Sequence, residues 1–263
     1  MKKNSGRFRV RELLLAGLLG LTACSAKRAP RSPRQDADDW LRSVREARAT
    51  IQTLKAEARV EVRRKERRFR FETSMLVAFP GHLYAEVNGI GLVGAVVSAD
   101  EESVLAYLPT RNKAYRSNGS EILGRLFGIE QSTREWVSLL LGEPPPFRGR
   151  VISFVDVGKE SVLELGDKIP RVTLRFDRAT SWLRSYEETS PIRRKIIYGK
   201  PIETTAGSYP SEIRIETEQA SVEFRFSKVS ANVRILPELF RIDLPVKVVP
   251  APIDGGEILR KDD

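Results

Sequence analysis

The chain has 263 residues, of which 41% are hydrophobic and 30% charged, and a formal net charge of +10. That balance excludes a polytopic membrane protein and a wholly disordered one, and the length admits one large β-rich domain or two small ones. One Cys leaves no intramolecular disulfide, and one His excludes a His-rich metal site.

Met1–Arg11 is basic and Leu13–Leu21 (LLLAGLLGL) is apolar, the order of a secretory signal. Nine apolar residues are too few to span a bilayer, which takes about 20 in a helix. Leu21-Thr22-Ala23-Cys24 resembles the lipobox of bacterial lipoproteins, with the only thiol of the chain at the position the motif needs. The resemblance implies that residues 1–23 are removed and that Cys24 carries a diacylglycerol and an acyl chain (palmitate or similar) on its amine. Multiple chains at ~0.8 kcal/mol per buried CH₂ anchor a protein stably without a spanning segment. A secreted protein with an incidental Cys is the other reading. Ser25 replaces the Asp that signals inner-membrane retention, which favours the outer membrane. The signal carries Lys2, Lys3, Arg7, Arg9 and Arg11 against Glu12, so the mature chain keeps +6. Residues 24–38 are Pro- and charge-rich without hydrophobic period and read as a flexible tether.

Trp40, Val44, Ala47, Ile51 and Leu54 recur at helical spacing, with Asp38 or Asp39 as cap. From Ala56 the period switches to two. Ala56, Ala58, Val60 and Val62 alternate with charged residues, and Arg64–Glu66 turns the chain. Phe69, Phe71, Thr73, Met75, Val77 and Phe79 share the next face, ended by Pro80-Gly81, and Leu83, Ala85 and Val87 continue the alternation. Strands this long occur in sheets that curl. The run Gly89–Gly94, with Ile90 and Leu92 between glycines, is either a bend between strands or an apolar loop that touches a membrane or client. Val93–Ala99 and Ser103–Leu108 form a hairpin around Asp100–Glu102, and Lys113–Arg116 is a further short strand.

Ser120–Pro146 is the strongly helical passage. Glu121–Phe127 is closed by Gly128. Thr133–Leu141 is opened by Ser132 with Glu135 three residues on, a capping-box spacing, and stopped by Gly142 and Pro144–Pro146. Ile122, Leu123, Leu126, Phe127, Trp136 and Leu140 exceed one narrow stripe, so two helices this short must lie on a broad apolar surface. They are an ordinary pair completing the core or a lid over a sheet that holds a hydrophobic ligand.

Strands resume at Val151–Val157, Ser161–Leu165, Arg171–Asp177, Trp182–Glu187, Arg194–Tyr198, Ser211–Thr217 and Ser221–Asn232, separated by short turns as in an antiparallel meander. Val172, Leu174 and Phe176 share a face, as do Ile213 and Ile215, and Phe224 and Phe226 with Val222. Charged residues take the opposite faces, so one side is wet and the other apolar. Phe240–Pro245 is a last alternating piece, and residues 246–263 form a disordered tail. The sum is a mainly β (α+β) fold. About twelve strands in one antiparallel sheet are too many to stay flat, so the sheet curls into an unclosed barrel with the helices on its concave side.

Leu126-Phe127-Gly128-Ile129, Trp136, Leu140, Gly142 and Pro144–Pro146, with the later Tyr209–Ile215 run, resemble signatures of the LolA/LolB-like lipoprotein-sorting family, in its lipoprotein-anchored branch. The resemblance covers residues 39–245. It implies a half-barrel whose cavity, lined by Phe69, Phe71, Met75, Val77, Val172, Leu174, Phe176, Ile213, Ile215, Phe224 and Phe226, receives acyl chains beneath the helical lid. It implies Ile90 or Leu92 as a membrane-inserting residue. It also implies a periplasm-facing, outer-membrane monomer that takes lipoprotein or lipid clients, with a soluble periplasmic carrier as a partner, and needs no cofactor. A structural or sensory envelope lipoprotein of the same fold is the alternative.

No nucleophile–base set, Walker, His-Glu-x-x-His or Cys-x-x-Cys pattern is present. His82 follows a turn, and Glu187-Glu188 and Asp100–Glu102 read as solvated charge. An enzyme is therefore not expected. Arg63–Arg70 and Arg193–Lys195 are basic clusters that suit anionic headgroups, or solvated strand edges, better than nucleic acid.

Overall fold

A computed structural model describes residues 37–42, 51–65, 67–88, 93–145, 149–189 and 193–252. Every described residue lies in one compact unit, Pro33–Asp263. Cys24, the signal, the tether up to residue 36, Ile90, Leu92 and the end of the tail lie outside the described residues.

The first half of the chain runs β1 (Thr53–Arg64), β2 (Arg67–Ala78), β3 (His82–Asn88), β4 (Val93–Ala99), β5 (Ser103–Leu108) and β6 (Lys113–Asn118). Helices α1 (Gly119–Phe127) and α2 (Thr133–Leu140) follow. The second half runs β7 (Arg150–Val157), β8 (Glu160–Gly166), β9 (Pro170–Asp177), β10 (Leu183–Glu188), β11 (Arg194–Tyr198), β12 (Pro201–Thr204), β13 (Gly207–Pro210), β14 (Glu212–Thr217) and β15 (Ala220–Ala231), with a two-residue β16 (Ala251–Pro252) near the end. Fourteen strands form one curled, unclosed sheet in the order β16-β6-β5-β4-β3-β2-β1-β15-β14-β11-β10-β9-β8-β7. Every neighbouring pair is antiparallel except β16 with β6. The expected architecture holds, with more strands than the dozen read from alternation.

The two halves meet at β1 and β15. Val60 lies opposite Phe224 on one side and Phe71 on the other, and Val62 lies opposite Val222 and Phe69. One apolar row therefore crosses three strands at the centre of the sheet. The same inward parity continues through Ile215, Ile196, Tyr186, Leu174 and Leu163 on one side, and through Leu83, Ala99 and Val104 on the other. Because strand side chains alternate, one register carries the whole apolar set to one face.

Four local features differ from the expectation. The helix read from Trp40 to Leu54 is helical at 37–42, its middle with Val44 and Ala47 lies outside the described residues, and Leu54 already belongs to β1, fully buried between Val77 and Ala231. Phe240–Pro245 is not a strand. A 3-10 turn at Pro237–Phe240 leads into it, the Ser98 hydroxyl donates to the Phe240 carbonyl, and the His82 and Phe240 rings lie 5.5 Å apart. This segment crosses β3 and β4 instead of extending the ladder. The third is an addition: β12 and β13 form a separate two-stranded hairpin between β11 and β14. The stretch read as a tail begins with a buried Val248 and with Ala251–Pro252 paired to Tyr115–Arg116.

The outer face is laced with charge. Glu61 accepts from Arg63 at 2.5 Å, Arg68 at 2.5 Å and Arg70 at 2.8 Å. The hydrogen bond from Arg68 is the main reason its carboxyl sits far below the usual carboxylate range; burial opposes the shift, and Arg70 and Arg63 add to it. Asp177 is lowered to about 2, first by Arg184 and then by the hydroxyl and N–H of Thr180. In both cases the folded state holds the proton less tightly than the unfolded chain. The unfolded state then binds more protons in mild acid, and stability rises with pH there. The thermal midpoint should therefore be flat above about pH 5 and fall steadily as pH drops towards 2. Glu61→Gln should lower the midpoint at pH 7 and flatten the acid slope, as read by circular dichroism melts across that range.

Candidate functional site

The segment between β6 and β7 has to cross the sheet. Those strands are twelve steps apart in the order, or ~58 Å if the sheet were flat, at the usual inter-strand spacing. Its apolar residues select the inner face. Ile122, Leu123, Trp136 and Leu140 are buried there, with Leu126 nearly so and Phe127 half-buried. Gly128 ends α1 with φ of 76°, and its N–H donates to the Gly124 carbonyl at 2.7 Å. A side chain at that position would be strained and would collide with Arg64. The Ser132/Glu135 capping box is present in both directions, as expected from its spacing.

Aromatic contacts seat this cover. Trp136 is fully buried, with its ring 4.8 Å from Phe127 and 6.3 Å from Phe224. Phe224 stacks on Phe226, which meets Tyr209 edge-on at 5.1 Å. Trp40 packs on Phe176 and Phe154 at 5.0 and 5.9 Å, so the 37–42 helix seats over β7 and β9. Of the residues read as lining a cavity, Met75, Val77, Val172, Leu174, Phe176, Ile213, Ile215 and Phe224 are buried. Phe69, Phe71 and Phe226 are half-buried against the same cluster. The structure thus brings the inner-face and cover residues into one apolar layer.

Directional bonds hold both ends of α2. At the C-terminal end, the Tyr209 hydroxyl donates to the Leu140 carbonyl and the Tyr198 hydroxyl to the Glu143 carbonyl at 3.3 Å. Tyr209 satisfies a last-turn carbonyl that a helix end leaves without an intrahelical partner, and Tyr198 ties down the turn that follows. Burial drives the Tyr209 phenol well above its ordinary pKa, so it remains a donor. At the N-terminal end, neighbouring residues reach opposite walls. Arg134 pairs with Glu101 at 3.3 Å and lies over the Phe79 ring at 5.4 Å, while Glu135 lies 3.7 Å from Arg194. Glu101 follows β4 and Arg194 opens β11, six steps apart in the sheet order, about 29 Å on a flat sheet. Only a curled sheet lets two adjacent side chains touch both.

Glu188 and Arg194 are corrections to the reading of solvated charge. They form a mostly buried pair at 2.7 Å, and the Tyr186 hydroxyl also donates to Glu188 at 3.1 Å. Burial and the nearby carboxylate raise the Tyr186 phenol, and Glu188 leads the effects that hold Arg194 above its ordinary value against desolvation. Arg194 and Glu188 share the inward parity of Ile196 and Tyr186, so this charge stands at the edge of the apolar face. Sequence reading missed it because the partners come from different strands.

Four buried polar side chains on or beneath the cover have no hydrogen-bond partner among the described residues: Thr73, Gln131, Thr133 and the Trp136 indole N–H. Each such group costs about 1–3 kcal/mol when left unpaired. Among the described residues, no cluster of three or more His, Cys, Asp or Glu is placed to hold a metal ion, and no helix is long and apolar enough to cross a membrane.

No protein-family model and no curated protein sequence matches the chain. Solved structures do. A DUF1329 family protein from Desulfovibrio piger is 13% identical with TM-score 0.55, the match covering 80% of this chain and 98% of that one. A LolA superfamily protein from Nitrosomonas europaea is 12% identical with TM-score 0.51, covering 75% and 94%. A domain from Vibrio parahaemolyticus assigned to outer-membrane lipoprotein sorting is 11% identical with TM-score 0.53, covering 78% and 97%. At these identities the likeness is one of backbone architecture, and this chain has a LolA/LolB-like fold.

Proposed function

We propose that this protein is a lipid-anchored envelope lipoprotein that binds the acyl chains of lipoproteins or lipids against its inner face and helps deliver them to the outer membrane. The observation that carries this reading is the apolar inner face of a curled sheet, covered by two short helices that lie against β2, β3, β5, β6 and β15. The LolA superfamily protein and the lipoprotein-sorting domain of the same fold support it. The physical need is clear. A 16-carbon chain carries ~13 kcal/mol of apolar transfer free energy at the usual increment per CH₂, and cannot cross an aqueous compartment unshielded.

In this reading residues 1–23 are the signal, Cys24 carries the lipid, residues 24–38 tether the domain, and residues 39–245 form the carrier with residues 246–263 as its C-terminal extension. The protein acts as a periplasm-facing monomer on the outer membrane, and Ile90 or Leu92 touches membrane or client. Phe69, Phe71 and Phe226, half-buried on the inner face, are the first apolar groups an entering chain meets. The chain would displace Trp136 from Phe224, trading one apolar contact for another. The function is binding and transfer rather than catalysis. A sensory or structural role without transport is favoured by one observation, the Trp136–Phe127–Phe224 aromatic contact that plugs the centre of the inner face.

Native mass spectrometry of protein released gently from its host should find co-purifying diacyl lipid or lipoprotein, and depletion should strand lipoproteins short of the outer membrane. Lipid-free protein together with normal lipoprotein localisation would favour the sensory role. A second outcome concerns the cover. Tyr209→Phe removes one hydrogen bond worth about 1 kcal/mol. It should speed amide exchange at residues 139–143 roughly 3- to 10-fold and quicken uptake of a fluorescent fatty acid, while exchange in β1 and β15 is unchanged.

A further inference from the structure

The antiparallel order sorts charge between the two ends of the sheet. β1 ends where β2 and β15 begin, with Arg64 opposite Arg67 and Ala220. By the same alternation β5, β8, β10 and β14 end there, and β6, β7, β9 and β11 begin there. Lys65 follows β1 at this end, Arg111 joins β5 to β6, Lys168 joins β8 to β9 and Arg193 precedes β11. Arg67 and Arg150 open strands beside them. The carboxylates in the same connections are Glu66, Asp167 and Glu218. Lys65, Arg67, Arg150, Lys168 and Arg193 are exposed and pair with no carboxylate among the described residues. Close by on the outer face, Arg63, Arg68 and Arg70 share the single carboxylate of Glu61, so that cluster stays positive. The opposite end is acidic. Asp100, Glu101 and Glu102 fill the β4–β5 turn, and Arg178 in the β9–β10 turn is taken by Asp156 at 3.2 Å.

Exposed apolar side chains stand among these cations. Ile169, beside Lys168, is 74% exposed. β16 runs parallel to β6 and is therefore entered from the end where β6 begins. Val246 and Val249, just before it and flanking Lys247, are 103% and 82% exposed. Ile169 belongs to the β7 side of the sheet order and the two valines to the β16 side. A protein interface gathers its apolar groups into a desolvated centre within a polar rim. Here single apolar groups are spread among long, exposed Lys and Arg side chains across the width of the sheet. That distribution suits a bilayer surface, where cations meet headgroup phosphates and isolated apolar groups reach the acyl boundary.

We propose that this basic end of the half-barrel docks on a bilayer surface that carries anionic phospholipid, with Lys65, Arg67, Lys168 and Arg193 against the phosphates and Ile169 and Val249 in the acyl boundary. The docking does not depend on what the inner face binds. Phe69 and Phe71 lie near the start of β2, at the same end. The docked protein therefore turns that end of its apolar face towards the lipid and its acidic end away.

The test is amide exchange of the full chain on vesicles of phosphatidylcholine with and without phosphatidylglycerol, read peptide by peptide. Exchange at 64–68, 166–169 and 247–250 should slow roughly threefold or more when phosphatidylglycerol is present, while 100–103 and 177–181 keep their rates. Salt at about 1 M, where the screening length is ~3 Å, should remove the effect. Because the readout is positional, a lipid anchor that also holds the chain to the vesicle does not mimic it. The triple variant Lys65→Glu, Lys168→Glu, Arg193→Glu should melt as the parent does and lose the protection. Lys159→Glu with Lys200→Glu, at the acidic end, should keep it. Equal protection on both vesicle types, protection at 100–103 instead, or protection that survives the triple variant would overturn the proposal. Protection of the basic end by an acidic soluble protein and not by phosphatidylglycerol would also overturn it and assign a protein partner. Failure to bind acyl chains with this protection intact would sink the carrier reading above and leave the docking standing.

Discussion

The pairing of β1 with β15 is the constraint from which the rest follows. It joins the first and last long strands at the centre of the sheet and so sends β6 and β7 to opposite edges. The 118–150 segment must then travel from edge to edge, and its apolar side chains confine it to the inner face. A cover over that face is a topological consequence of the central pairing.

That cover is held unevenly. Short helices have little stability of their own, so α1 and α2 stay where the sheet gives them apolar area and a few directional bonds. Tyr198 and Tyr209 fix the end of α2 to the β11–β13 wall. The ion pairs of Arg134 and Glu135 at the other end are more exposed and contribute less per bond. Unpaired polar groups beneath that second end weaken it further. The start of α2 is therefore the more loosely held end of the cover and the tyrosine end the firmer one.

Much of this was legible in the residues. Period-two alternation gave the inner face in β1, β2, β9, β14 and β15 directly, because each strand encodes which side is wet. The capping box and Gly128 set the helix limits for local reasons that sequence spacing carries. Neighbour relations were not legible, since alternation says nothing about which strand lies beside which. Arg194 and Glu188 looked like surface charge for that reason, although they pair across strands near the cover. Tyr209 stood in a Pro-Gly-Thr-rich stretch with no alternation to mark β12 and β13, and its value lies in reaching Leu140, 69 residues away in sequence. Phe240–Pro245 alternates like a strand, yet it follows a 3-10 turn and crosses β3 and β4 through the hydrogen bond of Ser98 with Phe240.

The central claim is that the covered inner face is where acyl chains lie. Photo-crosslinking with a palmitoyl lipid carrying a diazirine at the chain end, mapped by peptide mass spectrometry, tests it most directly. Label on inward residues of β2 and β15 and on α2, including Phe71, Phe224 and Trp136, is the predicted result. Label confined to outward residues such as Arg59 and Arg225, or no label above that of the heat-denatured protein, would contradict it.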